Sequence, residues 1–131
     1  MTTRRRFVTY TLGFAAAVPA LAQGGRWDYL GEANVDGSED HDKIKVGRGY
    51  GKFRAIRLHV ELAPVSFDRV TIEFSEGDRT SLPVNAEVPA GGQSRVLQLP
   101  SGSHHIAFVE FWYRRVSKED PKPKVKLFGL H

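Results

Sequence analysis

The chain has 131 residues, with 19 basic and 15 acidic side chains and a formal net charge of +4. It has no cysteine and a single methionine, the initiator. That composition excludes a disulfide framework, cysteine-held iron–sulfur clusters, type-c haem attachment and blue-copper chemistry, all of which need thiols.

The first predicted element is an export address. Thr3-Arg4-Arg5-Arg6-Phe7-Val8 sets consecutive arginines before an apolar run from Phe7 to Ala22. The run ends in Ala20-Leu21-Ala22, the small-x-small pattern that a signal peptidase cuts. An arginine pair followed by x-Phe has the form of a twin-arginine signal. A membrane-spanning helix needs roughly 20 apolar residues, whereas Thr9, Thr11, Gly13 and Pro19 interrupt this shorter run. Residues 1–22 are therefore expected to be a cleavable signal peptide. Residues 23–131 then form one domain, periplasmic or secreted, with no stable membrane insertion. The signal carries off Arg4, Arg5 and Arg6, leaving 16 basic against 15 acidic residues. That near-balance removes the electrostatic footprint of a nucleic-acid partner.

From Trp27 onward the apolar pattern has period two, with turn signals at short intervals. Trp27 to Asn34 reads as a first strand. His41 to Val46 is a second, with Ile44 and Val46 alternating against Lys43 and Lys45. Gly47 to Lys52 is glycine-rich but precedes a strand, so it reads as a connection and not a phosphate cradle. Phe53 to Leu62 alternates most clearly: Ile56, Leu58, Val60 and Leu62 share one face, and Arg57, His59 and Glu61 share the other. Arg69 to Phe74 repeats the pattern with Val70, Ile72 and Phe74 inward, before a turn at Glu76-Gly77-Asp78. A short strand over 79–84 ends near Pro83, Glu87 to Gly92 reads as loop, and Arg95 to Leu99 is a further strand. His105 to Arg115 and Lys124 to Leu130 complete the set, Lys124 and Lys126 marking a solvated face. About eight short strands with Gly/Pro turns predict an all-β fold, an antiparallel β-sandwich of jelly-roll-like form.

Parity within 105–115 carries a functional consequence. An unpaired glutamate is excluded from a core, so Glu110 points outward. Val109, Phe111 and Tyr113 then point inward, and Phe108, Trp112 and Arg114 share the outward face. Ile106 falls on the outward parity as well, and a bulge near Ala107 would return it to the core.

Two candidate sites follow. Arg57, His59, Glu110, Trp112 and Arg114 would form one surface if their strands are neighbours. An aromatic ring among charged groups suits an envelope glycan, peptide or protein; otherwise arginine stems and the 115–122 loop cover Trp112. The second candidate is Asp36, Asp40 and Asp42, which with Ser38 resemble the start of a calcium loop. His41 replaces the glycine of an EF-hand turn, and Gly47 stands where its closing glutamate belongs. Calcium is the one ion suggested, and no other cofactor is. The chain lacks a G-x-S-x-G elbow, and consecutive His104 and His105 on a strand point to opposite faces. A non-enzymatic binding module is thus the leading reading. A calcium-stabilised structural module and a small metal-independent hydrolase, with His59 or His104 as base, are the alternatives.

Several pieces carry a family resemblance: Trp27-Asp28-Tyr29-Leu30-Gly31, Asp40-His41-Asp42-Lys43-Ile44-Lys45-Val46-Gly47, Phe53-Arg54-Ala55-Ile56-Arg57-Leu58, Val88-Pro89-Ala90-Gly91-Gly92, Leu97-Gln98-Leu99-Pro100 and Val109-Glu110-Phe111-Trp112-Tyr113. Together they resemble a family of small exported bacterial β-proteins classed as a domain of unknown function. The resemblance implies a compact β-sandwich in the cell envelope and supplies no catalytic residues.

Overall fold

A computed structural model describes residues 25–35, 41–117 and 119–131; the expected signal peptide, residues 1–22, lies outside them. Among the described residues there are nine strands: β1 (Trp27–Asn34), β2 (His41–Lys45), β3 (Lys52–Phe53), β4 (Ala55–Glu61), β5 (Val65–Phe74), β6 (Arg79–Val88), β7 (Leu97–Gln98), β8 (His104–Arg115) and β9 (Lys124–Leu130). A single 3-10 turn, Arg48–Tyr50, sits between β2 and β3. One sheet has the order β1-β9-β4-β7 and the other β2-β8-β5-β6, with β3 paired to the start of β8. All pairings are antiparallel. With the two-residue β3 set aside, the chain steps repeatedly between the sheets and wraps the core as a jelly roll.

Alternation builds that core. Ile56, Leu58 and Val60 on β4 meet Val70 and Ile72 on β5 and Val109 and Phe111 on β8 in one buried cluster. As Glu110 demands, Val109, Phe111 and Tyr113 are buried. The bulge near Ala107 is present: Glu73 pairs with Phe108 but Phe74 pairs with Ile106, leaving Ala107 over. Ile106 is turned inward and fully buried.

Four expectations are corrected. The segment 53–62 is two strands, because the chain changes sheets at Arg54. Phe53 pairs with His104 on β8, and Ala55 pairs with Leu130 on β9. Arg54 pins this corner: its N–H donates to the Leu130 carbonyl at 2.8 Å, and its Nε donates to the His131 carbonyl at 2.9 Å. The corner also shifts the parity: Phe53 and Ala55 are buried before it settles on Ile56, Leu58 and Val60, so Ala55 and Ile56 are buried in succession. Leu62 is not a core residue; β4 ends at Glu61 and Leu62 turns outward with φ +78 and 62% exposure.

The third correction is that β5 starts at Val65 rather than Arg69. Val65, Phe67 and Val70 are all buried, and the odd spacing between Phe67 and Val70 hides the strand from a period-two reading. The fourth is that β6 runs through Pro83 to Val88 instead of ending near Pro83. It is an edge strand, where a missing N–H breaks no ladder on the open side. Arg95 donates to the carbonyls of Val84 and Pro83 on this strand, which blunts it against edge pairing.

Candidate functional site

On the outer face of the β2-β8-β5-β6 sheet, side chains two apart on a strand point the same way and line up in cross-strand rows. One row is His41, Trp112, Arg69 and Pro83; the next is Arg114, Ser66 and Glu87. On β8 the two rows are the normal two residues apart. On β5 they are three apart, because Asp68 is an extra residue in the β5–β8 ladder. On β6 they are four apart, from Pro83 to Glu87, and Asn85 within that stretch adopts φ +46. The rows therefore diverge like a fan toward the edge strand. A depression of about 580 Å³ opens between them, with Trp112 and Arg69 on one side and Arg114, Ser66 and Glu87 on the other. Consecutive bulges, which re-aim side chains and interrupt pairing, are its physical cause.

The first side is a stack. The Arg69 guanidinium carbon lies 4.0 Å from the centroid of the Trp112 ring. From the opposite neighbouring strand, the His41 ring stacks on Trp112 at 5.6 Å with 30° between planes. Arg69 Nη1 is 3.0 Å from Asp68 Oδ2, and His41 Nε2 is 3.4 Å from Glu110 Oε2. An arginine does cover Trp112, and it comes from β5. The second side is open. Among the described residues neither the Arg114 nor the Glu87 side chain forms an ion pair or a hydrogen bond, and both are exposed.

The five residues expected on one surface are split between two. Glu110, Trp112 and Arg114 share the face just described, with Trp112 and Arg114 bordering the depression and Glu110 one row away. Arg57 and His59 lie on the outer face of the β1-β9-β4-β7 sheet, on the far side of the core. There Arg57 stacks over Trp27 at 4.3 Å, and His59 packs against Phe128 at 4.2 Å between centroids. Burial, helped by the neighbouring Arg57 charge, holds the His59 pKa below the ordinary imidazole value. Its Nε2 is shielded from solvent with no hydrogen-bond partner among the described residues. Alternation gave no warning of Ser66, Arg69 and Glu87, since the bulges that bring them to the depression break it. Phe128 was legible: it shares parity with Lys124 and Lys126.

Asp36 and Asp40 of the calcium candidate lie outside the described residues. Asp42 is on β2, where its Oδ2 accepts a 2.7 Å hydrogen bond from the Tyr113 hydroxyl. His104 packs on Phe74 at 4.4 Å, and its Nε2 is 2.5 Å from the Pro100 carbonyl. Among the described residues neither His59 nor His104 has a carboxylate or hydroxyl partner of the kind a general base needs.

No helix among the described residues is long and apolar enough to cross a membrane. The fold is similar to part of Pseudomonas aeruginosa AlgX, with a TM-score of 0.52 and 12% identity, covering 97% of this chain. The match spans 34% of AlgX, so this chain corresponds to about a third of that protein and shares its fold there. No curated protein matches the sequence. Residues 7–129 match the model of a domain of unknown function, DUF2541, and the chain belongs to that family.

Proposed function

We propose that this protein is an exported, non-enzymatic binding module of the bacterial cell envelope, taking a small polar envelope component, sugar or peptide, in the fan-shaped depression beside Trp112. The depression carries the reading. At about 580 Å³ it lies within the ~300–1,000 Å³ range of small-molecule sites. Setting aside the buried Phe67 and Tyr113, its lining side chains offer one aromatic ring, two guanidiniums, two carboxylates, an amide and a hydroxyl, with no imidazole. Such a set orients hydroxyls and charged termini but provides no base–nucleophile pair. The arginine pair and Ala-x-Ala ending of residues 1–22 support export.

Thermal melting with a panel of envelope glycans and peptides tests this. A ligand at about 100 times its Kd adds roughly 2.7 kcal/mol, a rise of roughly 10 °C in a domain of this size. Ser66→Trp, which fills the depression from its middle strand, should abolish the shift. A shift that survives both Ser66→Trp and Trp112→Ala would place binding elsewhere.

A further inference from the structure

We infer that the occupant of the depression is a short peptide with free termini, its carboxylate held by Arg114 and its ammonium by Glu87. This rests on the reading of the depression as the binding site and names what fills it. Most charges elsewhere on this face are spoken for: Arg69 by Asp68 at 3.0 Å, Arg79 by Glu73 at 2.8 Å, Lys43 by the Phe108 ring at 4.3 Å. Lys45, exposed on β2 with no partner among the described residues, does not line the depression. Arg114 and Glu87 belong to one row of the depression yet do not reach each other.

Arg114 is on β8, Ser66 between them is on β5, and Glu87 is on β6. Two strand spacings of about 4.8 Å set their backbones roughly 10 Å apart. A peptide extends about 3.3–3.6 Å per residue, so two or three residues span that gap along the row. Ser66 then lies beneath the middle of the peptide as a hydroxyl partner, and the Arg69–Trp112 stack forms the opposite wall.

Charge selects among ligands. A neutral sugar leaves both charges without a counter-ion. A ligand with carboxylates alone meets repulsion from Glu87, and one with ammoniums alone meets it from Arg114. A zwitterion of this length satisfies both, and only in one orientation. Arg, with its planar fork of donors, is the residue suited to hold a terminal carboxylate.

Calorimetric titration of the purified protein with trialanine, N-acetyl-trialanine, trialanine amide and maltotriose decides the matter. Trialanine should bind, and each blocked peptide should bind about tenfold or more weakly, as expected for loss of one charge-assisted contact. Arg114→Ala should weaken trialanine but leave the amide unchanged; Glu87→Ala should erase the penalty for acetylation. Both side chains are exposed, so these variants fold, and an unchanged melting temperature confirms it. Trialanine failing at millimolar concentration, or blocked peptides binding as well as free ones, overturns the assignment. If maltotriose or another glycan binds instead and is lost in Ser66→Trp, the depression remains a binding site with a different occupant. If neither peptides nor glycans bind, both readings fall.

Discussion

Arg69 and Trp112 are cross-strand partners, and the Arg69 guanidinium carbon sits 4.0 Å from the centroid of the Trp112 ring. The pair forms one wall of the depression and fixes how much of the indole a ligand can touch.

Removing that guanidinium should uncover the indole. Arg69→Ala in a Trp27→Phe background, where Trp112 is the sole tryptophan, should raise acrylamide quenching and red-shift emission. The stability loss should be about 0.5–1 kcal/mol, typical of a solvent-accessible cation–π contact. Emission identical to that of the Arg69 protein would mean the stack does not persist in solution.

Gly129 on β9 has no room for a side chain. A Cβ there would stand 2.7 Å from Phe53 Cδ1 and 2.8 Å from Leu30 Cδ1. Phe53 and Leu30 are both buried and cannot swing into solvent. Gly129→Ala should therefore cost about 1–3 kcal/mol through overpacking, read as a lower urea midpoint. Gly49→Ala, where nothing lies within 4 Å, is the control.

His59 should make stability pH-dependent. Its folded pKa lies below the ordinary imidazole value because burial, then the Arg57 charge, disfavours the imidazolium. The unfolded chain therefore binds a proton first as pH falls. The contribution is fully present above the unfolded pKa and is lost as pH falls through the folded one. His59→Phe, which keeps a ring against Phe128, should flatten the acid side of the stability curve below the ordinary imidazole pKa. Parallel curves for the two proteins, by urea denaturation at several pH values, would rule this out.

Tyr113 and Asp42 tie β8 to β2 by a 2.7 Å hydrogen bond. Tyr113 is buried, so Tyr113→Phe should cost about 0.5–1.5 kcal/mol. The same measurement addresses calcium, because Asp42 belongs to the candidate loop. A melting temperature that rises with calcium, and does so less in Asp42→Asn, would assign the ion there; one unmoved by chelator would withdraw it.

Much of the fold is legible in the sequence because a strand writes its two faces in period two. Glu110 alone orients β8: it sends Val109, Phe111 and Tyr113 inward, Trp112 and Arg114 outward, and with Ile106 it requires the bulge at Ala107. The absence of cysteine, the arginine-led N-terminus and the near-balanced charge of residues 23–131 are likewise properties of the chain alone. Alternation says which face of its own strand a residue occupies, but not which sheet that strand joins. Long-range pairing alone decided that β4 and β8 belong to different sheets, separating Arg57 and His59 from Trp112 by the thickness of the core. The depression is a tertiary product too. It arises where Asp68 and the Pro83–Glu87 stretch put unequal numbers of residues between the same two rows, a mismatch that exists only once three strands are paired.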